Sequence, residues 1–347
     1  MVEMTFRIDK SKELYKEDLR NALDVKNIER LKGKKVLITG ATGLIGVCMI
    51  DSLMSLGGVS VVAVGRDKGR AKERLGEYFD NPLFSFLEQD VTEPFPDDLT
   101  VDYVIPAASN THPLAYSKYP VETMMVNLKG AENALKLSVR CGAVVLYPST
   151  VEVYGNAVTS DDVFDESYTG RLNLATSRSS YPESKRASEA MCLSYISEYG
   201  AKVRIVRLCR VLGPTMLESD SKVASQFVKN VLAGENIVLK SEGNQYFSYV
   251  YVADAVSAML YVMLNGEDGE AYNISSKDCD VHLKDLAGIC AEINGGHVVF
   301  DLPSDVERKG YSIAVNAITD NSKLLSAGWK PKYNIEDAVR RTVEILR

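Results

Sequence analysis

A tyrosine and a lysine stand four positions apart in "SYPESKRASEAMC", residues 180 to 192, at the head of a stretch with a helical pattern. Pro182 follows the tyrosine directly, and proline is tolerated in a first helical turn, where its missing N–H would have no partner anyway. Tyr181 is therefore expected at the mouth of a helix, with Lys185 one turn in. Side chains at i and i+4 are neighbours, so the phenol and the ammonium can act as a unit. Such a pair can be an ordinary solvated surface contact. It can also be a base, because a nearby cation favours the phenolate of a group whose ordinary pKa is about 10.

A second motif decides between those readings. "ITGATGLIG" places Gly40, Gly43 and Gly46 between the strand-like run "KKVLITG" and the helical stretch "LIGVCMIDSLMSLG". Gly40 permits a tight turn, Gly43 lets backbone approach a pyrophosphate, and Gly46 allows close helix packing, while the helix N-terminus favours negative charge. With a nicotinamide dinucleotide on that loop, Tyr181 would remove the proton of a carbinol as its hydride leaves; Lys185 would hold the ribose and depress the phenol pKa.

The second strand ends "AVGRDK", with Gly65 where a carboxylate normally accepts the adenosine ribose hydroxyls of NAD. Arg66 beside it can face a 2′-phosphate, which tips the expected NAD(P) cofactor slightly toward NADP. In the other reading Arg66 stacks on adenine or is solvated, and Asp67 takes the ribose. Asp90, closing the third strand, is either a contact to the adenine amino group or a turn residue.

These residues need a scaffold, and the order of elements supplies one. "KKVLITG", "VSVVAVG", "FSFLEQD", "VDYVIPAAS", "AVVLYPST" and "KVRIVRLC" read as strands alternating with helices such as "KGRAKERLGEYF" and "PVETMMVNLKGAENALKLSVRCG". That alternation predicts parallel βαβ units and an α/β fold with a doubly wound parallel sheet of the Rossmann type. The reading by segment is a helical N-terminal extension over 1–33, a dinucleotide-binding domain over 34–213 to which 244–276 returns, and a smaller α/β substrate lobe from 214–243 and 277–347.

Composition narrows the partners. The formal net charge of -7 and pI near 5.3 argue against nucleic acid, which usually demands a basic surface. No apolar run approaches the roughly 18 residues of a membrane span. The charged leader lacks a signal-peptide core, and six scattered cysteines without a CxxC pair suggest reduced thiols, so a cytoplasmic protein is expected. His112, His282 and His297 are not spaced with other ligands as a metal site requires, and no metal is expected.

The chain resembles the extended short-chain dehydrogenase/reductases that modify nucleotide sugars, the NAD-dependent epimerase/dehydratase family. The likeness covers roughly residues 34 to 340 and rests on the glycine loop, "PSTVEVYG" at 148 to 155, the Tyr181/Lys185 pair, "RLCRVLGP", "YVYVADAV" and "AGWKP". Its middle is most similar to the UDP-glucuronate decarboxylases, which share the Ser-Thr-x-Glu-Val-Tyr-Gly stretch and residues matching Asn173, Arg178, Lys185, Arg186, Ala187 and Glu189. The resemblance implies that Thr150 hydrogen-bonds the reacting hydroxyl and that Glu152 acts near C5 or C6 of the sugar. Taken without it, both lie at the carboxyl end of the buried run "VVLYPST", where open α/β sheets place ligands, yet they could equally be a β-former and a capping carboxylate. Further residues expected to line the cofactor are Leu44, Ile45, Ala107 and Ala108, and those expected around the substrate are Ser109, Asn173, Arg178, Arg210, Lys222 and Arg308.

The implied chemistry is transient oxidation of sugar C4, which acidifies the C5 hydrogen and turns a C6 carboxylate into a β-keto acid, with a decarboxylase-like outcome placed before an epimerase-like one. Dehydratases of the family carry an acid pair where this chain has Val151 and Glu152, so water elimination should be poor. Two departures concern the substrate: Phe247 stands where relatives carry an arginine for the pyrophosphate, and Arg210 replaces a usual Asn. Either Lys222, Arg210 or Arg308 takes over, or the substrate is not an ordinary UDP-sugar. The other functions weighed are an NADP-dependent reductase with net hydride transfer and a non-catalytic dinucleotide-binding module. The family also implies a homodimer through the helix bearing Tyr181 and the one around Asn127.

Overall fold

The computed structural model describes residues 8–111, 113–157, 159, 162–302 and 316–347. Seven parallel strands form its main sheet: β1 (Lys35–Thr39), β2 (Ser60–Gly65), β3 (Phe84–Glu88), β4 (Tyr103–Pro106), β5 (Val144–Thr150), β7 (Lys202–Leu208) and β11 (Ala271–Ile274). Their spatial order is β3-β2-β1-β4-β5-β7-β11. Strands such as Val36–Leu37–Ile38 and Val145–Leu146–Tyr147 are buried residue after residue because helices cover both faces. On one face lie α5 (Pro120–Cys141) and α6 (Ser180–Tyr199); on the other, α2 (Leu44–Leu56) packs beside α8 (Val252–Asn265). Strand order reverses at β1, so a crevice opens between the carboxyl ends of β1 and β4, where such sheets bind ligands. The doubly wound fold read from the sequence is the fold observed.

The smaller lobe centres on β8 (Arg210–Leu212), β10 (Tyr246–Tyr251) and β12 (Ser276–His282), with β10 parallel to β8 and antiparallel to β12. Two short parallel pairs accompany it: β6 (Val163–Phe164) with β14 (Ile318–Thr319), and β9 (Ile237–Leu239) with β13 (Val298–Phe300). Helices α7 (Val223–Ala233), α9 (Leu283–Asn294) and Ile335–Leu346 pack against one another in this lobe. Here the expected boundary shifts. Of the stretch 244–276, β11 does join the main sheet, but β10 pairs with β8 and β12 because its backbone bonds are taken by them.

The leader is tied down by polar contacts. Helix α1 (Glu13–Leu23) packs on α2 and α8, and Tyr15 donates to Asp51 at 2.6 Å. The buried Asp18 carboxylate accepts from Tyr251 Oη at 2.5 Å, Tyr333 Oη at 3.0 Å and Arg341 Nε at 2.8 Å.

Candidate active site

The glycine loop is a cradle that side chains could not form. Gly40 has φ +65, and a Cβ there would sit 2.7 Å from the Ala107 carbonyl oxygen and 2.9 Å from Ala108 N. A Cβ on Gly46 would overlap the carbonyl oxygens of Gly40 and Ala41. Helix α2 begins at Leu44 with Gly43 as N-cap and no side chain capping it, which leaves first-turn N–H groups to meet an anion. Ala108 N donates to Thr39 Oγ1 at 2.9 Å, fastening the ends of β4 and β1 together beside this turn. Ile45, Leu44, Ala107 and Ala108 are all partly exposed around it.

At the end of β2, Gly65 lies against the Phe86 ring and Arg66 points into a carboxylate pair. Its Nη1 donates to Glu122 Oε1 at 3.0 Å and lies 3.7 Å from Asp90 Oδ2. Asp90 in turn accepts from Thr92 N and Oγ1, and these bonds, with Arg66, hold its carboxyl below the usual range. So Asp90 is fixed by a turn, as one reading had it. Asp67 caps α3 (Lys68–Leu75), its Oδ1 accepting from Arg70 N at 2.9 Å.

Helix α6 starts at Ser180, so Pro182 falls in its first turn and Tyr181 at its mouth, as the proline requires. Lys185 is buried; its Nζ donates to the Pro148 carbonyl at 2.8 Å and lies 5.0 Å from the Tyr147 ring centroid. Burial lowers its pKa to about 8. Tyr181 is buried too, and burial followed by the Glu152 charge pushes its phenol well up, opposed by a hydrogen bond with Thr150. The expected depression of the phenol pKa is thus not a property of the protein alone. Desolvation outweighs any cation in it.

Thr150 ends β5 and caps the turn that follows, accepting from Glu152 N at 3.3 Å. Glu152 lies 3.6 Å from Arg178 Nη2, and Arg178 Nη1 donates to Tyr116 Oη at 2.8 Å. Tyr116 stacks on Tyr181 with ring centroids 5.6 Å apart. Glu152, Arg178 and Tyr181 are thereby gathered around one ring that sequence reasoning missed, with Thr150 beside Tyr181. Tyr116 has no periodic signal and no motif; only its contacts reveal it.

The remaining expected residues make contacts of their own. Asn173 is exposed and accepts from Ala175 N in its own turn, and Lys222 precedes α7 with its Nζ 3.7 Å from Asp220. Arg210 lies over the Phe247 ring, 3.6 Å from its centroid. Arg308 lies outside the described residues. Among the described residues Ser109 Oγ is buried without a partner, as is Asn127 Oδ1, which shares a small cavity with Thr39, Ala108 and Lys185. Asn127 Nδ2 donates to Ser184 Oγ at 2.8 Å, tying α5 to α6. Orphaned polar atoms beside a backbone-only cradle fit a polar dinucleotide well.

A glycine turn opening onto a buried tyrosine and lysine, at the reversal point of a doubly wound sheet, marks an enzyme of the extended short-chain dehydrogenase/reductase type. Comparison with known proteins narrows this: residues 36–275 match the NAD dependent epimerase/dehydratase family, and the chain belongs to it. UDP-glucuronic acid decarboxylase 6 of Arabidopsis thaliana is 33% identical over 318 residues, covering 90% of this chain and 89% of that protein. UDP-glucuronic acid decarboxylase 1 of Xenopus tropicalis is 30% identical over 327 residues, covering 93% of this chain and 74% of that one. Among solved structures, UDP-glucose 4-epimerase of Thermotoga maritima with UDP-glucose superposes with TM-score 0.76 at 24% identity, over 90% of this chain and 98% of its own. UDP-glucuronic acid 4-epimerase of Bacillus cereus, in complex with UDP-glucuronic acid and NAD, gives TM-score 0.77 at 18% identity, with the same coverages of 90% and 98%. At those identities the two structures speak for the fold.

Proposed function

We propose that this enzyme oxidises C4 of a nucleotide sugar transiently and returns the hydride after decarboxylation, with UDP-glucuronate as the first substrate to test. The observation that carries the reading is the convergence of Thr150, Glu152 and Tyr181, since both of the first two act on the Tyr181 phenol. The curated relatives named above support decarboxylation over epimerisation. A bound nicotinamide cofactor would supply reversible hydride acceptance; Gly40, Gly43, Gly46 and the start of α2 would hold it.

The protein's own groups account for the rest. Tyr181 takes the proton of the C4 hydroxyl, Thr150 holds that oxygen, and Lys185 provides positive charge beneath the site. A C4 ketone then makes the C6 carboxylate a β-keto acid. The C5–C6 bond breaks with its electron pair passing toward C5 and the ketone, carbon dioxide leaves, and a proton is added at C5. In this reading Glu152, half-buried and near Arg178, handles that proton. Val151, buried beside it, offers no acid to expel a hydroxyl, which supports decarboxylation over water elimination.

The cofactor is NAD(P). The NADP preference rested on Arg66 and the missing acid at Gly65, but Arg66 is already engaged by Glu122 and Asp90, which supports NAD. The lobe of 214–243 and 277–347 is read as the substrate-binding part. A homodimer through α5 and α6 belongs to the same proposal, supported by exposed Val121, Met125 and Val139 on α5 and Leu193 and Tyr199 on α6. Sedimentation velocity at micromolar concentration tests it, and a monomer would overturn it.

The activity is tested by incubating the protein with UDP-glucuronate and NAD and following carbon dioxide release and absorbance at 340 nm together. Release without a stoichiometric absorbance gain supports the reading. A stoichiometric gain points to a net dehydrogenase, and no turnover of any nucleotide sugar sinks the proposal.

A further inference from the structure

Arg210 and Tyr249 are direct partners in the parallel pair β8/β10, so their side chains stand on one face of the small sheet. Each ends in a buried polar atom without a partner among the described residues: Arg210 Nη1 and the Tyr249 hydroxyl. Tyr249 is only 2% exposed, and burial pushes its phenol up to about 12, so it remains a donor. The Arg210 guanidinium rests over the Phe247 ring and, among the described residues, makes no ion pair with a carboxylate. Two adjacent buried donors, one of them charged, are costly unless an acceptor satisfies both.

Their place in the fold says which acceptor. Leu208, at the end of β7, is paired with Thr150, so Arg210 lies just past the carboxyl edge of the main sheet at the level of the reacting groups. Its charge also reaches the Tyr116 phenol, whose ring covers Tyr181. Lys222, another of the cations expected nearby, faces Asp220 instead, and Arg308 lies outside the described residues.

We propose that Arg210 and Tyr249 together form the subsite for an anionic oxygen of the substrate, phosphate or carboxylate, with Phe247 as the platform that keeps the guanidinium flat. This deepens the nucleotide-sugar reading and rests on it. A guanidinium fixed on an aromatic face can offer its free edge to one oxyanion, and the neighbouring hydroxyl adds a second, shorter donor to the same atom.

The test uses the full chain with NAD bound, titrated calorimetrically with uridine, UDP, UDP-glucose and UDP-glucuronate, for wild type, Arg210→Gln and Tyr249→Phe. If the subsite holds the diphosphate, both variants lose roughly tenfold in affinity for all three diphosphates and none for uridine. If it holds the sugar carboxylate, the loss is confined to UDP-glucuronate. NAD affinity and melting temperature report whether each variant is folded, and Tyr249→Phe is isosteric enough to keep the test open if Arg210→Gln is not. Folded variants whose nucleotide affinities all stay within twofold of wild type overturn the subsite. A wild type that binds NAD but no nucleotide overturns the nucleotide-sugar reading itself, and the subsite with it.

Discussion

The ammonium of Lys185 donates to the carbonyl oxygen of Pro148 at 2.8 Å, which anchors the cation at the end of β5, two residues before Thr150. Charge is thus stored under the reacting groups by a backbone contact. Its protonation has a visible consequence.

Lys185 is charged below about pH 8 and neutral above it. In the proposed mechanism the Tyr181 phenol, raised by burial, gives up its proton with the help of that charge. The kcat/KM profile should therefore fall above about pH 8, and Lys185→Arg, which keeps its charge, should move that limb upward by more than one pH unit. A limb unmoved by the substitution would assign it to another group.

Tyr181→Phe removes the hydroxyl and leaves the Tyr116 stacking face. Turnover should drop by roughly 10²–10⁴-fold, while NAD affinity, read by calorimetry, stays within twofold. A variant retaining more than a tenth of wild-type turnover would remove Tyr181 from the proton transfer.

Glu122→Gln frees Arg66 from its nearer carboxylate. The pair is half-exposed and individually weak, so the gain in NADP affinity relative to NAD should be modest, roughly fivefold. Direct titration of both dinucleotides measures it. Wild-type protein that already prefers NADP would show that Glu122 does not withhold Arg66.

Arg207 grips Glu189 through two bonds, 2.8 and 3.2 Å, and also donates to Tyr154 Oη and the Glu166 carbonyl, joining β7 to α6. Both side chains are largely buried. Glu189→Ala leaves an unpaired guanidinium and should cost about 3 kcal/mol, seen as a lower urea midpoint. Arg207→Met with Glu189→Leu should recover most of it, since the desolvation cost of both charges disappears.

What the sequence made legible was local. Gly40, Gly43 and Gly46 announce the cradle because the turn, the approach and the packing are all met within seven residues. Pro182 likewise places the start of α6 without any tertiary information. Strand β10 misled because "YFSYVYV" is apolar enough for either sheet, and only its long-range register with β8 and β12 decides between them. Arg66 read as a phosphate ligand because Glu122, 56 residues away, cannot be seen beside it in a string. Tyr116 and Asn127 were hidden for the same reason: their meaning lies in Tyr181 and Ser184, brought near by helix packing.

The Asp18 carboxylate sets a schedule for the making of the molecule. Its partners Tyr251, Tyr333 and Arg341 follow it by 233, 315 and 323 residues. Closing loops of that length is an entropic step that local helices and hairpins do not share. Asp18 and Arg341 then belong to one late-forming structure. Deleting α1 removes the acid and leaves Arg341 without it, while deleting Ile335–Leu346 removes Arg341 and leaves the acid short of a partner, so the two deletions should give similar folding defects.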